Sequence, residues 1–284
     1  MNESKIGIPF EIKELAPNTV YTTWKDYYNL NAGAIILNNY IVIIDSLSYP
    51  RQAMDFRKRI EEKYELPIKY LFLTHMHGDH VFGMSAFKDL EVIGSKALVE
   101  NMKGKLADSW EKEAFDDWKK EQPELADFIE EIEITIPQKE FENEYLLEDG
   151  DLYIEFVNSG GHSSCSTYAY FPKDKTLFIG DEIGAGYWIF MSDPTGNPDK
   201  WIESFEEILK LDVEKIIPGH GPIVSKEYVK EQLEFMKELK KTVLKAISEG
   251  KKPEEVEVPD YPYEPAIDWQ IPTALEFLFN HYSK

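Results

Sequence analysis

Short runs of β-branched and aromatic residues, broken by Asn, Gly and Pro, dominate the first third of the chain. Val20 to Trp24, Ala34 to Leu37 and Tyr40 to Asp45 predict strands, with Asn38-Asn39 as the turn that joins the last two into a hairpin. From Tyr49 to Tyr64, Met54, Phe56 and Ile60 recur among charges, which predicts a surface helix stopped near Pro67. Ile68 to Leu73 is an apolar and aromatic strand that runs straight into a cluster of histidines. Leu90 to Ile93 predicts another strand, followed by a helix from Ser95 to about Met102.

The pattern then changes. Lys105 to Glu131 is rich in acids and aromatics, and Phe115 and Trp118 stand three apart, the spacing of a helical insertion. Ile132 to Ile136 follows as an apolar run. Two hairpins come next, Tyr145–Leu147 with Leu152–Val157 around Glu148-Asp149-Gly150, and Thr167–Phe171 with Thr176–Ile179 around Pro172-Lys173-Asp174. Lys200 to Leu211 predicts a helix, Lys215 to Ile217 a short strand, and Ser225 to Gly250 a long amphipathic helix. A last helix is expected from about Ile267 to Tyr282, after a Pro- and acid-rich stretch, Lys251 to Pro265. Strands and helices interleave, with hairpins in both halves. That predicts an α/β (α+β) chain with mixed sheets covered by helices, not a simple parallel doubly wound sheet.

Composition narrows the function. Acids outnumber bases 53 to 31 in 284 residues, a formal charge of −22. So acidic a chain lacks the basic footprint of a nucleic-acid binder and disfavours anionic membrane surfaces. No apolar run approaches the roughly 20 residues of a membrane span, and Met1 to Pro17 lacks the apolar core of a signal peptide. The single cysteine, Cys165, cannot form an intramolecular disulfide, which fits a reducing compartment. The expectation is a soluble, cytoplasmic protein.

The chemistry is concentrated in a few short segments. Thr74-His75-Met76-His77-Gly78-Asp79-His80 leaves the strand Ile68 to Leu73 with four metal-ligand side chains in six positions. Imidazole nitrogen with carboxylate oxygen suits a borderline cation such as Zn²⁺. On a loop leaving a strand, His75 and His77 can face one metal while Asp79 and His80 turn toward a neighbour. Gly160-Gly161-His162-Ser163 is a turn after the strand ending near Val157. Gly180-Asp181 puts a carboxylate at the exit of the strand ending at Ile179, and Pro218-Gly219-His220-Gly221-Pro222 puts a histidine at the end of Lys215 to Ile217. Five of the six histidines therefore fall at strand exits. The sixth, His281, reads as ordinary surface or packing.

Taken together and in this order, these segments resemble the metallo-β-lactamase-fold hydrolases. That family's signature is His-x-His-x-Asp-His, then Gly-His-Ser/Thr, then a strand ending in Gly-Asp, then a late Gly-His, and the resemblance covers about residues 18 to 225. It implies a four-layer αβ/βα sandwich, two mixed β-sheets with helices outside, and a site at one edge between the sheets. The domain would span 1–250 with 105–142 as a helical insertion, and 251–284 would be an extension packed on it. The resemblance assigns His75, His77 and His162 to a first metal, Asp79, His80 and His220 to a second, and Asp181 to a bridge between them. Zinc is the first choice for both, and iron or manganese also fit, although diiron flavoprotein members usually carry Glu where this chain has His77. Five neutral imidazoles, two carboxylates and a shared hydroxide leave about +1 beside two divalent ions, enough to polarise a carbonyl or phosphoryl oxygen. Asp79 would orient that hydroxide and shuttle its proton to the leaving group.

Two features bear on the substrate. After His162 the chain reads Ser163-Ser164-Cys165-Ser166, where glyoxalase II and similar thioesterases read Thr-Pro-Gly. Cys165 reads as a small residue packed at the start of a strand. Tyr187, in Gly184 to Met191, is a candidate catalytic donor to a carbonyl oxygen or oxyanion, with Trp188 and Phe190 lining an apolar mouth. The leading expectation is a dinuclear metal-dependent hydrolase of a small ester-like bond: lactone, thioester, β-lactam or ester. The alternatives are a phosphodiesterase or phosphotriesterase on the same site, a diiron redox member, or an inactive scaffold. The expected partner is a small-molecule substrate, with neither nucleic acid nor membrane. The insertion could serve as a lid, as the surface of a homodimer, or as a cover for the sheet.

Overall fold

Period-2 alternation along the central strands sends neighbouring side chains to opposite faces, and that sorting builds the fold. The computed structural model describes residues 3–106 and 108–283. Twelve strands are present among them: β1 (Lys13–Ala16), β2 (Thr19–Trp24), β3 (Leu30–Ile36), β4 (Ile41–Ile44), β5 (Ile68–Phe72), β6 (Glu91–Ser95), β7 (Lys139–Phe141), β8 (Glu144–Asp149), β9 (Leu152–Asn158), β10 (Thr167–Phe171), β11 (Thr176–Gly184) and β12 (Lys215–His220). The helices are α1 (Pro50–Lys63), α2 (Gly78–Val81), α3 (Lys96–Leu106), α4 (Lys112–Glu121), α5 (Ala126–Ile129), α6 (Pro198–Ile208), α7 (Lys226–Ser248) and α8 (Gln270–Tyr282).

The strands follow one hydrogen-bonded path, β7-β6-β5-β4-β3-β12-β11-β10-β9-β8, with β2 on β3 and β1 on β2. β3 and β12 are joined at a single residue pair, Leu30 with His220, and there the path folds back so that its halves face each other. The expected mixed pairing is present, with parallel β4–β5–β6–β7 and β11–β12 beside antiparallel neighbours.

Alternation then yields three cores. On β4, Val42 and Ile44 point between the halves, while Ile41 and Ile43 point the other way, beneath α1 with Phe56 and Ile60. On β10, Ala169 and Phe171 point between the halves, while Tyr168 and Tyr170 join the core under α6, α7 and α8. Phe72 of β5 stacks on Phe156 of β9 with ring centroids 4.1 Å apart, although six steps of the strand path separate those strands. Replacing Phe72 with alanine is expected to cost about 3–5 kcal/mol, because the opposite half is braced and cannot collapse into the void. Chemical denaturation of the variant measures this, and a cost below about 1 kcal/mol would contradict the face-to-face packing.

Several elements differ from the sequence reading. Ile132 to Ile136, read as an apolar run, has no regular secondary structure and leads to β7, a three-residue strand that the pattern did not announce. β1 was also unannounced, since Lys13–Ala16 mixes charged and small residues and owes its pairing to β2. β11 runs to Gly184 and β12 to His220, so Asp181 and His220 lie within irregular strand ends rather than on loops beyond them. Local turn residues suggested an exit, but pairing between the two strands carries both of them on. Likewise Asp79 and His80 lie in the one-turn helix α2, not on a loop.

In the 105–142 region, α4 and α5 lie over the end of α1, and Tyr49 meets Trp118 and Phe128. Residues 253–282 pack into the α6–α7 core through Ala274, Leu275 and Leu278, and Tyr261 stacks on Phe235 at 4.1 Å. Among the described residues no helix is long and apolar enough to cross a membrane.

Candidate metal centre

The ends of β5, β11 and β12 and the turn between β9 and β10 meet at one edge, where the two halves of the sheet approach each other. β5 ends at Phe72, and the chain passes through His75 and His77 before turning into α2, which carries Asp79 and His80. The seven candidate side chains converge. His75, His77, His162 and Asp181 form one group, and Asp79, His80 and His220 form another; within each, the donor atoms lie within 4.8 Å of one another.

Asp181 stands between the groups. Its Oδ2 lies 3.5 Å from His75 Nε2 and 3.9 Å from His162 Nε2, and its Oδ1 lies 3.1 Å from His80 Nε2 and 3.6 Å from His220 Nε2. Asp79 Oδ2 is 3.0 Å from His220 Nε2 and 3.8 Å from His80 Nε2. His77 Nδ1 and His162 Nε2 face each other at 3.1 Å. This close approach depends on Gly219, where a Cβ would stand 1.9 Å from Asp181 Oδ1.

The imidazoles are oriented from behind. His80 Nδ1 lies 2.9 Å from Asp45 Oδ2, and Asp45 also accepts from the backbone N–H of Thr74 at 2.8 Å and from its hydroxyl at 2.9 Å. Thr74 Oγ1 is 3.0 Å from His75 Nδ1. His162 Nδ1 donates to the Phe190 carbonyl at 3.1 Å, and His77 Nε2 lies 2.8 Å from Asp193 Oδ2. Such partners set the tautomer and raise the basicity of a metal-facing nitrogen. Sequence reasoning missed Asp45 and Asp193. Asp45 follows the apolar strand β4 and adopts a left-handed backbone, φ +61°, a conformation Asp tolerates better than most residues; Asp193 offers no such signal. Glu182, also missed, accepts from Ser159 and Ser204 at 2.5 and 2.7 Å behind the His162 turn, and burial pushes its carboxyl up to about 7.

The electrostatics favour a cation. Asp45, Asp79, Asp181 and Asp193 are buried or nearly so, and every ion pair they make among the described residues is with an imidazole, never with Lys or Arg. Burial would lower the His80 and His220 imidazoles, but Asp181 and Asp79 outweigh it and raise both above the usual imidazole range, so the buried carboxylates are balanced by protons that a bound cation would displace. Burial alone would push the Asp79 and Asp181 carboxyls up, but His80 and His220 outweigh it and hold both well below the usual carboxylate range. Burial holds His75 below the usual imidazole range and, with His77 adding to it, lowers His162 to about 3, so their lone pairs are available to a Lewis acid. The buried atoms His75 Nε2, His80 Nε2 and Asp181 Oδ1 have no hydrogen-bond partner, and all three point into the cluster. The donor set therefore fits divalent cations. Asp193→Asn is expected to weaken metal affinity about 10–100-fold with the fold intact. Metal titration and a circular dichroism spectrum test this, and unchanged affinity would remove Asp193 from the centre.

The remaining candidates fall elsewhere. Trp188, expected at the mouth, is instead buried in the core with its ring against Phe235 at 5.8 Å, because the adjoining C-terminal segment covers it and Gln270 bonds its carbonyl. Tyr187 is half-buried, and its hydroxyl accepts from Asn29 Nδ2 at 3.0 Å; its ring meets Tyr28, which in turn packs edge-on to His220 at 6.5 Å. Phe190 contributes its carbonyl to His162 and its ring to Tyr28 and Trp269. Cys165 is fully buried, with Sγ 3.3 Å from Ser163 Oγ. A cleft of about 780 Å³ beside α1, lined in part by Arg51, Asp55 and Lys58, holds none of the seven groups.

Comparison with known proteins gives a consistent picture. The family described as the metallo-beta-lactamase superfamily matches residues 28–220. The chain is 25% identical over 187 residues to the "Beta-lactamase-like protein 2 homolog" of Caenorhabditis elegans, covering 64% of this chain and 52% of that protein. It thus spans about half the length of that curated relative. Among solved structures it resembles a metallo-beta-lactamase from Pontibacter korlensis, with TM-score 0.60 and 17% identity over 80% of this chain and 99% of that one. It also resembles the stereoselective inverting sec-alkylsulfatase Pisa1 from Pseudomonas sp., with TM-score 0.74 and 15% identity over 96% of this chain and 50% of that one. At these identities the structural likenesses speak for the fold alone.

Proposed function

Because the chain belongs to the metallo-β-lactamase superfamily, we propose that it is a dinuclear metal-dependent hydrolase of a small ester-like bond: lactone, thioester, β-lactam or ester. One observation carries this reading: Asp181 turns one carboxylate oxygen to each of two donor groups, as a bridge between two cations would. His75, His77 and His162 would hold one ion and Asp79, His80 and His220 the other, with zinc preferred for its match to imidazole and carboxylate. Two bound divalent cations would polarise a substrate oxygen and bring the pKa of a water toward neutrality.

The side chains then have distinct tasks. Asp79 takes the proton of the attacking water on its carboxylate and returns it to the leaving group. Asp45, Thr74 and Asp193 hold the imidazoles in one tautomer. Tyr187 accepts from Asn29, which leaves its own hydrogen free to donate to a substrate carbonyl. The cluster opens to solvent on the side of His77, whose side chain is 31% exposed, so a small molecule can enter there.

The test is a hydrolysis screen of the zinc-loaded protein across lactones, thioesters, β-lactams, simple esters, phosphotriesters, phosphodiesters and sec-alkyl sulfates. Turnover of one of the first four classes well above the other three supports the reading. Turnover confined to phosphoesters or sulfates replaces it with another hydrolase activity, and no turnover with two zinc ions bound overturns it.

A further inference from the structure

Beside Asp79 lies a cavity of about 320 Å³ whose walls come from four separate parts of the chain. Trp24 and Tyr27 come from the end of β2 and its turn, Tyr49 from the start of α1, Phe82 from just after α2, and Trp118 from α4 of the insertion. The rings form a continuous wall. Trp24 stacks on Tyr27 at 5.1 Å and meets Tyr49 at 5.9 Å, Tyr49 stacks on Trp118 at 6.0 Å, and Trp118 meets Phe82 at 6.1 Å. Gly78, also in the lining, is required for this packing, since a Cβ there would stand 2.3 Å from the Phe82 ring.

Three features define the occupant. No Lys or Arg is among the lining residues, so an anionic substituent finds no cationic side chain to pair with inside the cavity. The volume is at the lower end of ligand pockets and suits one ring rather than an extended chain. Ser48 lines the cavity, is 5% exposed, and carries a hydroxyl with no hydrogen-bond partner, which an uncharged polar substituent on the ring would satisfy. We propose that this cavity is a specificity pocket that receives an uncharged aromatic group of the substrate, and that Trp118 brings the insertion into substrate selection. The proposal rests on the hydrolase reading for the word substrate, but the pocket can be tested without turnover.

The probes are ketones, which carry no hydrolysable bond: 4-phenylbutan-2-one, butan-2-one, 4-(trimethylammonio)butan-2-one and the anion 4-oxopentanoate. Dissociation constants are measured by calorimetry on the full chain with its metal bound. The phenyl ketone is expected to bind at least about 10-fold tighter than butan-2-one, the scale of a filled apolar pocket. Trp118→Ala should erase that preference and Trp118→Phe should retain most of it, with melting temperature as the check that both variants fold. Tighter binding of the cation or the anion, or a preference that survives Trp118→Ala, overturns the pocket. If the phenyl ketone binds as expected but no ester-like bond is cleaved, the hydrolase reading fails and the pocket stands. If esters are cleaved with equal aryl preference in Trp118→Ala, the pocket fails and the hydrolase reading stands.

Discussion

Asp181→Asn is expected to lower kcat/KM on the best ester-like substrate by about 10³-fold or more, and to reduce bound metal from two equivalents to one or none. Asp181 is the group whose two oxygens face different donor clusters, so the substitution removes one negative charge and one bridging oxygen at once. Each tenfold in rate corresponds to about 1.4 kcal/mol, and the polarisation supplied by a cation pair is worth several kcal/mol, which sets the scale. Asparagine is nearly isosteric, so Gly219 and the β11–β12 pairing tolerate it and the melting temperature should hold within a few degrees. Steady-state kinetics with metal analysis on the same sample make the comparison. A variant that keeps both ions and full turnover would remove Asp181 from the bridging position and with it the dinuclear reading.

Removal of metal by chelation should abolish turnover and lower the melting temperature by about 5–15 °C, both restored by zinc. A ligand that binds only the folded state, present at about 100–1,000 times its dissociation constant, stabilises by about 3–4 kcal/mol, and a chain of this size shifts a few degrees per kcal/mol. Here the effect has a specific source. Asp45, Asp79, Asp181 and Asp193 crowd one edge with imidazoles as their ion-pair partners, so extracting the cations leaves four carboxylates to be balanced by imidazoles alone. Differential scanning fluorimetry before and after chelation, with parallel reconstitution by zinc, iron and manganese, also ranks the three metals. Full activity in protein verified to be metal-free would end the metal-dependent reading.

The cluster from His75 to His80 was legible in the sequence because its spacing is local, and His162, Asp181 and His220 joined it through the family resemblance. Four ligand-type side chains within six positions stand out without any fold, whereas a single histidine or aspartate among glycines at a strand end carries weight only when the segments are taken together in family order. The residues behind them carry no such mark. Asp45 lies twenty-nine positions before Thr74, and Asp193 more than a hundred after His77; each acts only because the chain returns to within hydrogen-bond reach. The aromatic stretch after Gly186 shows the opposite difficulty. Trp188 and Phe190 look alike in sequence, yet the first is sealed into the α6–α7 core by the C-terminal segment and the second faces Tyr28.

Strand and helix type, the alternation that splits β4 and β10 between two faces, and the ligand spacing from His75 to His80 all follow from the chain's own order, because each depends on neighbours a few residues apart. The folding back of the strand path at Leu30 and His220, the meeting of His162, Asp181 and His220 with the first histidine cluster, and the wall that Trp118 completes beside Asp79 are decisions of the tertiary structure. They depend on which distant faces bury each other, and burial is a property of area removed from water by the whole chain, not of any one segment.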